Sequence, residues 1–290
     1  MKGIILAGGT GSRLYPLTKA VNKQLLPVFD KPMIYYPIAK LIECGITDLY
    51  IVVNPDRHID FNLLLSGLEL FGVRTTFVTQ KEPRGIPEAL LLCEEFIENQ
   101  NVCLILGDNI FFDNREIKNV FSKYTSGALA LGIEVSDPTL YGVAEINSLG
   151  EVINLSEKPQ APTSNLAIPG FYVFDSSAVS RVKNLGYSGR GELEIIDLLQ
   201  SYLRSKQLTF HKLRNDSVWF DAGTPHSLYT ASKFVQSLDK NPQSNLGYPE
   251  LAALERGLIS EQNFFKLIEN VPDGPYKNQL KRSLTELSKT

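Results

Sequence analysis

The chain has 290 residues, 43% hydrophobic and 21% charged, with a net charge of -3. At roughly 150 residues per domain this is one large domain or two modest ones, able to bury a sizeable core, which excludes a disordered tail, a collagen-like fibre and a disulfide scaffold. The slight acidity argues against nucleic acid and anionic membranes as partners, since both select a basic surface.

The first half alternates strand-like and helix-like segments. Residues 4–7 are a short continuous apolar run, suited to a strand buried on both faces. A helix is predicted over 32–44, entered through Asp30 and a proline and ended near Gly45. There follow a strand over 49–53, a helix over 59–71, a strand over 75–79 and a helix over 88–97. The run V-C-L-I-L at 102–106 is another buried strand. This succession is the βαβα pattern of a parallel sheet with helices on both faces.

From about Ala128 the texture changes. Strands are predicted over 128–135, 143–146 and 152–156, with a turn at Asn147-Ser148-Leu149-Gly150. They read as an antiparallel insert on the sheet, reaching to about residue 220. A strand over 167–175, a helix over 193–203 and strands over 208–213 and 218–220 complete the core; Glu192 and Glu194 suit the positive end of that helix. The expected class is α/β, with a Rossmann-like, mixed, mainly parallel sheet and helices on both faces. Residues 1–239 form this core, 241–245 read as a linker, and 240–290 form a helical C-terminal appendage for packing, oligomerisation and possible regulation.

Cys44, Cys93 and Cys103 lack C-x-x-C spacing and sit in apolar company, so they read as reduced thiols in or near the core. His58, His211 and His226 are far apart, which argues against a zinc site. The N-terminal apolar run stops at Gly8-Gly9, too short for a signal peptide. No run approaches the ~18 apolar residues of a membrane span, so a cytoplasmic protein is expected.

The loop after the first strand reads Gly8-Gly9-Thr10-Gly11-Ser12-Arg13-Leu14. Glycines let backbone N–H groups approach an anion closely. The dinucleotide pattern G-x-G-x-x-G fails, because Leu14 stands where its third glycine belongs; the P-loop pattern fails for want of Gly-Lys-Ser/Thr. An oxidoreductase and a P-loop NTPase are both disfavoured. Arg13 offers a forked donor and Lys23 a point charge, which suit a triphosphate at a strand's C-terminal end. The same residues also suit a plain strand-to-helix turn with two solvated cations.

Ordered blocks along nearly the whole chain resemble the sugar-1-phosphate nucleotidyltransferases. They are L-A-G-G-T-G-S-R-L-Y-P-L-T at 6–18, N-K-Q-L-L-P at 22–27, K-P-M-I-Y-Y-P at 31–37 and L-G-D-N-I-F at 106–111. They continue with Tyr141-Gly142-Val143, Glu157-Lys158-Pro159, R-G-E-L-E-I at 190–195 and W-F-D-A-G-T at 219–224. Within that family the chain is similar to the glucose-1-phosphate thymidylyltransferases that open the dTDP-rhamnose pathway. The resemblance implies attack of a sugar 1-phosphate on the α-phosphorus of dTTP, with pyrophosphate leaving. UTP or another hexose 1-phosphate is the alternative substrate, and a catalytically silent sugar-nucleotide-binding subunit the alternative role.

Residue by residue, the resemblance implies that Asp108 and Asp221 bind the catalytic Mg²⁺. Two aspartates plus substrate phosphates suffice for that ion. Arg13 would hold the triphosphate and the leaving pyrophosphate, and Lys23 would contact the phosphates. Gln80 would read thymine, with Gly85 permitting close approach of the base; Leu6, Gly8, Gly9, Gly11 and Pro83 complete the nucleotide side. Lys158 would pin the sugar phosphate and Glu157 accept sugar hydroxyls, with Asn109, Tyr141, Gly142 and Ile168 around them. A homotetramer and a second nucleotide site in the tail are also implied. The chain departs from the family at Gly85-Ile86-Pro87-Glu88-Ala89 and at Ala167-Ile168-Pro169-Gly170, where two prolines remove backbone donors near the base and sugar pocket.

Overall fold

The computed structural model describes residues 1–113, 115–238 and 246–287. The chain begins with β1 (Lys2–Leu6), a glycine-rich loop, and a small ribbon of β2 (Pro27–Val28) and β3 (Lys31–Pro32). Then come α1 (Tyr35–Glu43), β4 (Asp48–Val53), α2 (His58–Leu65), β5 (Arg74–Thr79), α3 (Glu88–Leu92), α4 (Glu94–Ile97) and β6 (Val102–Leu106). The middle carries β7 (Asn109–Phe112), α5 (Glu116–Phe121), β8 (Ala128–Glu134), β9 (Gly142–Ile146) and β10 (Val152–Glu157). It continues with β11 (Leu166–Ile168), β12 (Phe171–Phe174), α6 (Ala178–Lys183), α7 (Ile195–Arg204), β13 (Leu208–Lys212) and β14 (Val218–Asp221). Helices α8 (Pro225–Leu238), α9 (Pro249–Glu255), α10 (Glu261–Glu269) and α11 (Pro275–Leu287) follow.

One ten-stranded mixed sheet organises these elements, in the order β10-β9-β11-β8-β12-β6-β1-β4-β5, with β13 beside β8. Strands β6, β1, β4 and β5 run parallel, as βαβ units require. Beyond β6 the pairing turns antiparallel through β12, β8, β11, β9 and β10. The insert therefore extends the main sheet edgewise. A separate two-stranded pair, β7 with β14, stands off it.

The apolar run of β1 is buried on both faces. Ile5 belongs to the core beneath α1 and α2, whereas Ile4 faces the core formed with α3, α6 and α7. The C-terminal helices join the first of these: Leu251, Ala253, Phe264, Ile268 and Leu280 are fully buried in it. Cys44, Cys93 and Cys103 are buried free thiols, and burial pushes Cys44 and Cys93 up to about 12. No described helix is long and apolar enough to cross a membrane.

Several predicted boundaries move for identifiable reasons. The helix expected over 32–44 starts at Tyr35, because the N–H groups of Met33 and Ile34 donate to Leu26 and Gln24 carbonyls beside the ribbon. The helix expected over 59–71 is broken at Gly67, leaving a 3₁₀ turn, Leu68–Phe71, that Gly72 ends at φ 76°. The single strand expected over 167–175 is two strands: Pro169 has no N–H for a ladder, and the chain switches partners from β9 to β6 across Pro169-Gly170. The helix expected from 193 starts at Ile195, since Leu193 pairs with Gly85. The linker expected at 241–245 lies outside the described residues.

Candidate active site

A cleft of about 600 Å³ opens where β1, β5 and β6 end. Its glycine-loop side is built by Leu6, Gly8 and Gly9. Asn54 clamps that loop by accepting from Gly9 N at 3.0 Å and donating to Gly9 O at 2.9 Å. Gly11 does not line the cleft; it takes φ 60° before the Ser12–Leu14 turn, where Thr18 Oγ1 donates to its carbonyl. Its part is to shape the loop that carries Arg13.

Asp108 follows β6 through Gly107 and is 6% exposed. Lys23 Nζ donates to its Oδ2 at 2.5 Å, and Asn109 Nδ2 to its Oδ1 at 3.2 Å. Burial pushes the Asp108 carboxyl up, but the Lys23 charge and these hydrogen bonds win and hold it below the ordinary range. Asp221 ends β14 in the same cleft, with Arg13 Nη2 at 3.9 Å. Its carboxyl is pushed up, first by burial and then by the Asp108 charge, with Arg13 and Lys23 offsetting only in part. Two carboxylates thus share one cleft in mutual repulsion. Among the described residues no group of three or more His, Cys, Asp or Glu could hold a metal; this pair offers oxygen donors to a hard cation that draws its other ligands from phosphates and water.

The opposite wall is the insert. Tyr141, Gly142, Glu157, Lys158 and Ile168 all line it, as do Gln80, Pro83 and Gly85 across the gap. Lys158 holds the left-handed conformation at φ 43°, with its N–H donating to Tyr141 O at 3.0 Å. Burial raises the Glu157 carboxyl, and Lys158 and Arg190 pull against that. Asn109 is engaged internally: its Oδ1 accepts from Gly170 N at 2.9 Å and from Trp219 Nε1 at 2.7 Å. Gly85, at φ 101°, has its Cβ space taken by Leu193 O, 2.0 Å away, so the glycine serves the contact between the two walls.

Three lining residues lay inside recognised blocks without being singled out. Arg190 reaches Glu194 at 2.8 Å and Glu157 at 3.3 Å, a fourth cation beside Arg13, Lys23 and Lys158. Trp219 meets Tyr141 edge-on at 4.9 Å. Gln24 is 1% exposed, and its Oε1 has no hydrogen-bond partner among the described residues. Nothing local marked Arg190, since Glu157, one of its three carboxylate partners, is brought to it from β10.

A cleft holding four cations, two convergent aspartates and a glycine loop suits nucleotide and phosphate chemistry. The model of the nucleotidyl transferase family matches residues 2–237. The chain belongs to that family. This nucleotidyltransferase is 40% identical over 287 residues to the glucose-1-phosphate thymidylyltransferase of Neisseria meningitidis, covering 98% of this chain and 99% of the relative. The protein of that name from an Actinoplanes species is 40% identical over 282 residues, 97% and 93% of the two chains. A crystal structure of a candidate glucose-1-phosphate thymidylyltransferase from Bacillus anthracis, in complex with sucrose, superposes with a TM-score of 0.76 at 44% identity, covering 81% of this chain and 95% of that one. UDP-glucose pyrophosphorylase bound to UDP-glucose shares the fold, at a TM-score of 0.72 and 23% identity over 81% and 98% of the chains.

Proposed function

We propose that this nucleotidyltransferase moves a deoxythymidylyl group from dTTP to α-D-glucose 1-phosphate, yielding dTDP-glucose and pyrophosphate. The observation that carries the reading is the convergence of Arg13, Lys23, Asp108 and Asp221 opposite Lys158 and Arg190 in one cleft, in a chain with full-length thymidylyltransferase relatives. A phosphate oxygen of the sugar phosphate attacks the α-phosphorus and forms the new O–P bond. The bond from the α-phosphorus to the bridging oxygen breaks, and its electron pair leaves with pyrophosphate. No side-chain nucleophile is needed, so catalysis is positioning and charge neutralisation.

Lys158 and Arg190 position the sugar phosphate, and Arg13 follows the charge that builds on the leaving pyrophosphate. Asp108 and Asp221 would hold Mg²⁺, a fit supported by two carboxylates, one buried and one half-buried, converging on the same cleft. When bound there, the ion would supply positive charge against the reacting phosphates. Thymine and uracil differ by one methyl, worth ~1–3 kcal/mol at most, so UTP is a poorer but real substrate. The reading places the enzyme at the start of dTDP-rhamnose or related deoxysugar synthesis, as a homotetramer, which light scattering tests.

The decisive experiment is pyrophosphate release with Mg²⁺, pairing dTTP and UTP with a panel of hexose 1-phosphates. Strong release with dTTP and glucose 1-phosphate is expected. Release only with another sugar would keep the chemistry and assign the change to Ile86-Pro87 and Ile168-Pro169. Release with no pair would overturn the reading in favour of a silent binding subunit.

A further inference from the structure

We propose that Glu88 fixes the polarity of the Gln80 side-chain amide, and so restricts the base pocket to nucleobases carrying a ring N–H, the keto-pyrimidines, against cytosine. The inference rests on the reading of Gln80 as the base-facing residue. A side-chain amide has nearly the same shape either way round, but a half-turn exchanges its acceptor and donors. In one orientation its oxygen meets the N3–H of thymine or uracil. In the other its N–H meets the bare N3 of cytosine. Some neighbour has to choose.

Gln80 leaves the end of β5 with 4% exposure, its backbone N–H bound to Val53 O at 2.9 Å. Its Nε2 donates to Glu88 Oε2 at 2.7 Å. An ionised carboxylate only accepts, so the nitrogen must face it. The same Oε2 accepts the backbone N–H of Arg84 at 3.2 Å. A backbone amide cannot be turned round, which makes the polarity run one way from Arg84 through Glu88 to Gln80. Pro87, at φ -62° before α3, opens the helix that carries Glu88. Gln80 Oε1 is left facing Gly8, where a Cβ would lie 2.5 Å from it, and both residues line the cleft. Glu88 itself does not line the cleft. It is a positioning residue, acting through Gln80.

The test compares kcat/KM for dTTP, dUTP and dCTP with glucose 1-phosphate in the wild type, Glu88→Met and Glu88→Gln. Glu88→Met frees the amide to turn, and is expected to cut the dTTP to dCTP preference by about tenfold, mainly through KM. The dTTP to dUTP ratio should not move, because both bases carry N3–H. Glu88→Gln should restore the wild-type preference, since the Arg84 N–H still demands an oxygen at that spot. Equilibrium binding of dTTP and dCTP reads the same ratio in any variant too slow to assay. An unchanged dTTP to dCTP ratio in Glu88→Met, or an equal loss for all three nucleotides, would overturn the proposal. A wild type that releases no pyrophosphate from dTTP would instead overturn the substrate reading.

Discussion

Asp221 stands directly opposite Asn109 in the antiparallel pair of β14 and β7. The register of that short ribbon therefore sets how far the Asp221 carboxylate lies from Asp108, the residue before Asn109. The next residue tightens the arrangement, for Ala222 N–H donates to the Asp108 carbonyl at 2.9 Å. Backbone pairing, more than side-chain packing, holds the two acids at one spacing.

Replacing either acid separates chemistry from folding. Asp108→Asn and Asp221→Asn are each expected to lower Mg²⁺-dependent pyrophosphate release by about two orders of magnitude or more. Asp221→Asn removes a half-buried charge that Asp108 repels, so its melting temperature should hold or rise. Wild-type activity in both variants would remove the metal from this pair.

Arg13 is well exposed, with 58% of its side chain accessible. Arg13→Ala should cost little stability and lower kcat by roughly two to three orders of magnitude, the scale of one lost transition-state contact. A rise in KM at constant kcat would mean that Arg13 binds the ground state alone.

The left-handed backbone at Lys158 gives a pair of variants that differ in stability. A non-glycine residue there carries about 1–2 kcal/mol of strain. Lys158→Gly should therefore melt higher than Lys158→Ala. Both should lose affinity for the sugar phosphate, seen as a raised KM for that substrate and not for the nucleotide.

Gly85→Ala would force a Cβ to within 2.0 Å of Leu193 O at a φ of 101°. The bridge between the two walls of the cleft must give way, at a cost of at least about 2 kcal/mol. Thermal melting and hydrogen exchange at Leu193 check this, the second locating the loss at the bridge.

Acid should loosen the approach to β14. Glu116 accepts from the His211 ring at 2.8 Å, Arg214 N at 3.1 Å and Ser217 Oγ at 2.9 Å. Burial alone would raise its carboxyl; these partners outweigh it and hold the carboxyl below the ordinary 4.5. A carboxyl that titrates lower when folded stabilises fully above its unfolded value, and that stability is lost as pH falls through the folded value. Glu116→Gln should cost about 1–2 kcal/mol near pH 7 and progressively less at acid pH, as the wild-type carboxyl is protonated below its folded value. Denaturant melts at neutral and acid pH decide it.

The parallel half of the fold was legible because β1, β4 and β6 are built on continuous apolar runs, and V-C-L-I-L is β6 to the residue. Segments whose shape depends on partners were not. β7 reads N-I-F-F and becomes a strand only by pairing with β14, while Pro169-Gly170 interrupts what the apolar pattern presents as one strand. In the cleft, Asp108, Asp221, the glycines, Arg13 and Lys23 were visible through local chemistry, and Glu157 and Lys158 only through the family resemblance. Gln24 and Arg190 were not, because their positions follow from elements distant in sequence.

The pairing of β7 with β14 also orders events in time. A ribosome releases residues 109–112 long before 218–221, and the intervening insert must emerge before the second acid can reach the first. Any nascent or truncated chain ending ahead of Val218 carries Asp108 with Lys23 but without Asp221. On the proposed metal role, such a chain holds only one of the two acids that would bind Mg²⁺.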